Sequence, residues 1–329
     1  MSEFGPSPQS EEEKEEQGVS LAKEIADLRS GAQTDEDYEN ILRKTKVLKE
    51  LFGISSWDTA SDETKLSGEI AEQIERAKEI LGSDVFGPDA VKEAFGTAIE
   101  LGSIPSIPFS VNELERAKEL GQMLILRAGK LSDGSKLNMK KIGEILGGKV
   151  KDEGKVFYNP DWYKDEKFFT DDAVETGWAL VSKGLVSDSV NKNYFEQTGL
   201  LIDQLNQSFN GAENLPEEYV EAVKEYAFAM DEIAELIDTD WQKAAEKLEG
   251  LEINQLLRQS PSEALYDLIL YFQNTGKRLL GDKYTWTKRR NSDGRLVYVG
   301  YFESAGVDVS GYRPGTSIDI LGVSFSRSR

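Results

Sequence analysis

The sequence predicts a mainly α protein of the α+β class. It should be an antiparallel helical bundle or array with an aromatic-rich connector and a small C-terminal antiparallel β-sheet. Three observations carry this. Apolar residues recur at helical spacing before residue 147 and again through 190–281. Between these regions Phe157, Tyr158, Trp162, Tyr163, Phe168, Phe169 and Trp178 fall within 22 residues, where the chain-wide aromatic content of 9% would place about two. After Gly281 the helix signals give way to short alternating runs bounded by turns.

Residues 1–17 are rich in Glu, Ser and Pro and have nothing to pack, so they read as a disordered acidic tail. A helical region spans 18–104. Leu21, Ile25 and Leu28 share one face; Tyr38, Ile41, Leu42, Leu48 and Phe52 mark a second helix; Ile70, Ile74, Ala77 and Leu81 mark a third. "GPDAVKEAFGTAIELG" reads as a fourth, opened by Pro88 and closed by Gly102. Pro105 and Pro108 break the helical pattern and begin a region, 105–189, of helix plus connector. Ser110 and Glu113 have capping-box spacing, and Phe109 and Leu114 that of a hydrophobic staple. The helix they start is expected to run to about Ala128, with Gly121 in its middle marking a close crossing or a kink. A short helix over about 136–146 ends at Gly147 and Gly148.

In the connector, Val156–Tyr158 and Trp178–Lys183 are the candidate strands. Helices resume over 190–281. One stripe is Tyr194, Thr198, Leu201, Ile202, Leu205 and Phe209; another is Val220, Val223, Ala227, Met230, Ile233, Ala234 and Ile237. Thr239 and Gln242 suit a cap for the next helix, and Ser260-Pro261-Ser262-Glu263 spells N-cap, Pro at N1 and Glu at N3. Residues 282–329 then form the small sheet, with a hairpin turning at "SDG" and further strands at Val307–Val309 and Ile318–Phe325. A unit this small is expected to dock on the helical body.

Composition narrows the chemistry. The 329 residues contain no cysteine and no histidine. That excludes disulfides, thiolate nucleophiles, Ser-His-Asp machinery and the usual zinc ligands. Catalysis would need carboxylates, Lys, Tyr or a metal held by oxygen, and the balance weighs against an enzyme. Net charge is −21, which disfavours nucleic acid and anionic membranes. The charge is uneven: residues 283–329 carry eight basic against four acidic residues, a basic sheet on an acidic body. The acidic opening residues carry no secretory signal and no apolar run is long enough to span a bilayer, so a cytoplasmic location is expected.

No phosphate-loop pattern is present; Leu124 and Tyr271 stand where the first glycine would precede Gly129-Lys130 and Gly276-Lys277. "TDEDYEN" lacks the glycine and final glutamate of a calcium loop. No cofactor is expected. Two surfaces carry the candidate binding residues. Trp162, Tyr163 and Trp178 in the connector are either a buried seam between helical halves or a platform for a protein or sugar. Trp286, Arg289, Arg290, Tyr298 and Tyr301 mix rings and cations on the predicted sheet.

The phrases "PFSVNELERAKELGQMLILR", "DWYKDEKFFT", "GWALVSK", "YTWTKRRNSDGRLVYVGYF" and "LGVSFSRS" resemble those of uncharacterised conserved proteins of candidate-phylum bacteria. The resemblance covers roughly 105–190 and 280–329 and implies recurring units, with no assigned activity.

The expected function is therefore a non-catalytic interaction or assembly protein, meeting a protein partner or its own copies through connector and sheet. One alternative is a carbohydrate-active or metal-assisted hydrolase built on Asp161, Asp165 or Asp172. Another is single-stranded nucleic-acid binding by the sheet.

Overall fold

The computed structural model describes Ser20, Lys23, Glu24, Lys44, residues 68–101 and residues 104–328. The acidic tail and the apolar residues that mark the first two expected helices lie outside the described residues. The chain divides into two compact units, Met1–Glu63 and Thr64–Arg329.

Along the second unit the order is α1 (Gly68–Leu81), β1 (Val85–Phe86), α2 (Pro88–Phe95), α3 (Val111–Glu119), β2 (Gln122–Arg127), α4 (Met139–Ile145), α5 (Lys167–Thr170), β3 (Gly177–Ser182), α6 (Tyr194–Ser208), α7 (Glu217–Thr239), α8 (Trp241–Gly250), α9 (Glu252–Leu257), α10 (Pro261–Thr275), β4 (Tyr284–Arg290), β5 (Leu296–Glu303), β6 (Gly306–Tyr312), β7 (Leu321–Gly322) and β8 (Ser326–Ser328). The protein is mainly helical with a C-terminal sheet, as the sequence predicts. Among the described residues no helix is long and apolar enough to cross a membrane.

The strands form two four-stranded sheets, ordered β1-β2-β3-β8 and β6-β5-β4-β7. In the first, β1 is parallel to β2 and the other neighbours are antiparallel. In the second, β6, β5 and β4 form an antiparallel meander and β7 adds parallel to β4. The predicted strand at 318–325 is thus split: β7 stays in the second sheet, whereas β8 crosses to pair with β3.

α10 touches β2 in one sheet and β4 and β5 in the other, together with α2, α4 and α5. Residues 261–270 are buried on every side, the burial expected of a central helix. Ser260 caps it: its hydroxyl accepts from the Glu263 amide at 3.3 Å, and the Glu263 carboxylate accepts from the Ser260 amide at 2.7 Å.

Two hydrophobic cores result. The first gathers α1–α5, the first sheet, α10 and the Val297, Val299, Phe302, Val307 and Val309 side of the second sheet. The other side of that sheet, with Trp286, Leu296 and Tyr298, packs on Tyr194, Leu201, Tyr219, Ile233, Leu248 and Leu257 from α6–α9. The C-terminal sheet therefore docks on the helical body as expected, and it is the wall between two cores.

Three expected elements differ. The helix begun at Ser110 stops at Glu119. Gly121, at φ 66°, turns the chain, and Gln122–Arg127 is a strand buried throughout. Met123-Leu124-Ile125-Leu126 is a continuous apolar run, which suits a central strand as well as a helix and has no period to separate them. α2 ends at Gly96, φ 66°, short of the expected Gly102. The cap of α8 is Asp240, whose side chain accepts from the Lys243 amide at 3.2 Å; Thr239 instead donates to the Glu235 carbonyl.

Candidate interaction site

The connector is built on β6. The Val307 amide donates to the Val156 carbonyl at 2.9 Å, and the Tyr158 amide to the Val307 carbonyl at 3.0 Å. Val156–Tyr158 thus makes a single parallel bridge with the sheet edge, Phe157 opposite Val307, in place of the predicted strand. Covering an edge in this way removes a row of open backbone groups. Gly306 makes the approach possible: a Cβ there would lie 2.3 Å from the Phe157 carbonyl carbon.

The rings beyond it interlock. Tyr163 lies 5.2 Å from Phe169 and 6.0 Å from Phe168, and Phe157 packs edge-on to Phe169 at 5.5 Å. Tyr163, Phe168 and Phe169 are buried in the first core, each contributing about 1.5–3 kcal/mol by its burial. Trp178 is wholly buried in β3, and its indole N–H donates to the Pro105 carbonyl at 2.8 Å. These rings are a seam, but one inside the first core rather than between helical halves.

Trp162 behaves differently. It is 43% exposed, and its indole N–H donates to the Val309 carbonyl at 3.1 Å. It lines a cleft of about 550 Å3 with Asp165, Glu166, Lys167, Arg290, Asn291 and Ser292. Glu166 braces the opposite wall, accepting from the Ser292 amide at 2.8 Å and hydroxyl at 2.6 Å. Of the eight residues the sequence singles out, this cleft brings together two, Trp162 and Arg290.

The others disperse. Trp286 and Tyr298 are buried in the second core, 5.6 Å apart. Tyr301 is 39% exposed and stacks on Tyr284. Arg289 pairs with Asp172 at 2.9 Å, and Arg290 with Glu249 on α8 at 2.7 Å. Two of the three rings, Trp286 and Tyr298, are thus buried and both guanidinium groups are paired, which leaves Tyr301 as the one exposed ring of this set. The basic sheet and acidic body attract one another within one chain.

The three aspartates weighed for hydrolysis do not converge on the cleft. Asp165 lines it; Asp161 is exposed outside its lining. Asp172 is largely buried against Arg289, and burial raises its pKa despite that partner. Among the described residues no group of three or more acidic side chains is placed to hold a metal ion.

A second polar cluster is not among the residues the sequence reading singles out as a site. Arg127 is buried on β2 and grips Asp267 of α10 through Nε at 3.0 Å and Nη2 at 2.5 Å. Glu263, one turn earlier, lies 3.4 Å from Arg127 and 3.5 Å from Lys288. Gln259 donates to Asp267 at 2.6 Å. Burial alone would raise Glu263, but Arg127 and Lys288 outweigh it and hold its carboxyl below the usual glutamate range. Asp267 is raised, because burial exceeds what Arg127 returns. The sequence marks Glu263 only as a cap, and Asp267 falls between apolar residues where a solvated face would be expected. An acid at i and i+4 in a helix apolar on its other sides is the available signal.

A scan against family models, a search of curated proteins and a search of solved structures each returned no match. No residue role can therefore be carried over from a relative.

Proposed function

We propose that the protein is a non-catalytic interaction or assembly protein that meets a protein partner through the connector and the C-terminal sheet. One observation carries this reading. Among the described residues seven large apolar side chains are exposed, and four of them, Tyr158, Trp162, Tyr301 and Tyr312, belong to the connector or the second sheet. The β5–β6 hairpin unites them: the Tyr158 amide and the Trp162 indole bond to β6 carbonyls, and Tyr301 and Tyr312 lie in β5 and β6. Tryptophan, tyrosine and arginine are the residue types that most often dominate contact energy, especially where a cleft can exclude water. The Trp162 cleft, with Lys167 and Arg290 beside Asp165, suits a peptide segment that inserts an apolar side chain flanked by charge.

Photocrosslinking in cells tests this. A benzoylphenylalanine at Tyr158 should give a discrete protein adduct, abolished by Trp162→Ala, while the same group at exposed Glu93 on α2 gives none. Equal adducts from both positions, or none from Tyr158, would sink the proposal. Deleting residues 282–329 is not a substitute, because it removes five strands that build both cores.

A further inference from the structure

Beside the Arg127–Asp267 pair lies a small cavity at the junction of α10 with both sheets. β2, β3, α10 and β4 each supply part of its wall, and Ser324 adds to it where the chain crosses from β7 to β8. Three polar side chains on this wall, Gln259, Asp267 and Ser324, are 5% exposed or less. Polar atoms buried so deeply are expected to find partners.

Among the described residues these three do not satisfy one another. The Ser324 amide donates to Thr285 Oγ1 at 2.8 Å, but the Ser324 hydroxyl has no partner. Gln259 donates through Nε2 to Asp267 Oδ2 at 2.6 Å, and its Oε1 accepts nothing. Asp267 Oδ1 accepts only from Arg127 Nε, at 3.0 Å, whereas Oδ2 accepts from both Arg127 Nη2 and Gln259. A carboxylate oxygen has room for about two donors, so Oδ1 can take one more. The shortfall is one hydroxyl and two acceptor positions, all on the wall of one cavity.

Size and charge select the occupant. The room inside is about 20 Å3, and a single water needs about 10–15 Å3. That excludes any organic ligand. The charge of Asp267 is answered by Arg127, and Lys183, the other ion on this wall, pairs with Asp84 at 2.7 Å. A balanced wall suits a neutral dipole rather than an ion.

We infer that this cavity is the binding site of one water molecule, which donates to Gln259 Oε1 and Asp267 Oδ1 and accepts from the Ser324 hydroxyl. The water ties the β7–β8 crossing to α10, which the Ser324 side chain does not reach directly. The site is separate from the Trp162 cleft and stands or falls apart from it.

The first test is a high-resolution crystal structure of the full-length protein. One density peak should lie about 2.7–3.2 Å from Ser324 Oγ and from Asp267 Oδ1. No peak within hydrogen-bond reach of Ser324 Oγ would overturn the site. Crystals soaked in rubidium chloride should show no anomalous signal there; a rubidium peak would overturn the choice of a neutral occupant. The second test is oxygen-17 relaxation dispersion in solution, which counts waters held longer than the protein tumbles. Ser324→Val removes the hydroxyl and fills its surroundings with methyl groups, so the count should fall by one. Ser317→Val, at an exposed position, should leave it unchanged. An unchanged count in a Ser324→Val protein with native near-ultraviolet circular dichroism would also overturn the proposal. The crystal test needs no variant, so it decides the matter even if Ser324→Val fails to fold.

Discussion

Arg127 shows what a single buried side chain can hold. Its guanidinium faces Asp267 and Glu263, all three nearly free of solvent. Arg127→Met would strand two carboxylates without their main counter-charge. Breaking a buried pair from one side costs about 3–5 kcal/mol, and urea denaturation of the variant should show a loss of that size. Two neighbouring acids should respond to pH with opposite signs. Asp172 is raised in the folded protein, so the folded state keeps its proton longer and stability falls as pH rises through the range above about 4. Glu263 is lowered, so its contribution is present above about pH 4.3 and lost as pH falls through its folded value. Relative to the parent protein, Asp172→Asn should therefore gain stability between pH 3 and neutrality and Glu263→Gln should lose it, read from denaturation midpoints across pH. Parallel slopes for the two variants would contradict these environments. The sequence displays the residue types here but not their meeting, since Arg127 and Asp267 are 140 positions apart.

At the scale of elements, boundaries written in local chemistry are legible. Ser110 with Glu113 and Ser260 with Glu263 both form the capping boxes their spacing announces. The end of α3 is not, because Gly121 in an apolar context reads as a helix crossing or a kink, whereas in the structure it ends the helix. Its φ of 66° decides, and a Cβ there would meet nothing within 4 Å. Gly121→Ala should thus cost only the left-handed penalty, about 1–2 kcal/mol. Gly300 is another matter: a Cβ would sit 2.3 Å from the Lys283 carbonyl oxygen. Gly300→Ala must part β4 from β5, and thermal unfolding should show it far more damaged than Gly121→Ala. α7 teaches a related lesson. Its periodicity predicts a buried stripe, yet Ala227, Met230 and Ala234 are exposed; periodicity reports an apolar face and not what covers it.

For the molecule as a whole, the second sheet makes two cores interdependent. Val297 and Val299 face one and Trp286, Leu296 and Tyr298 the other. Trp286→Ala, which should cost about 3–5 kcal/mol, should lower the opening free energy of β3 amides in the first core as much as that of α6 amides in the second. Hydrogen exchange read residue by residue checks this; protection lost in α6 alone would mean the cores open separately. This coupling is the least legible feature. Residues 282–329 look like a small appended unit, because alternation reveals strands but not which distant strand each will join.

The crossing of β8 into the first sheet has a consequence for how the protein is made. Arg127 on β2 and Ser326 on β8 meet across 199 positions. A ribosome adding about 5–20 residues each second needs roughly 10–40 s to travel from one to the other. Throughout that interval the nascent polypeptide carries an unfinished sheet whose greasy flank is open, a window in which chaperones would have their greatest claim on it.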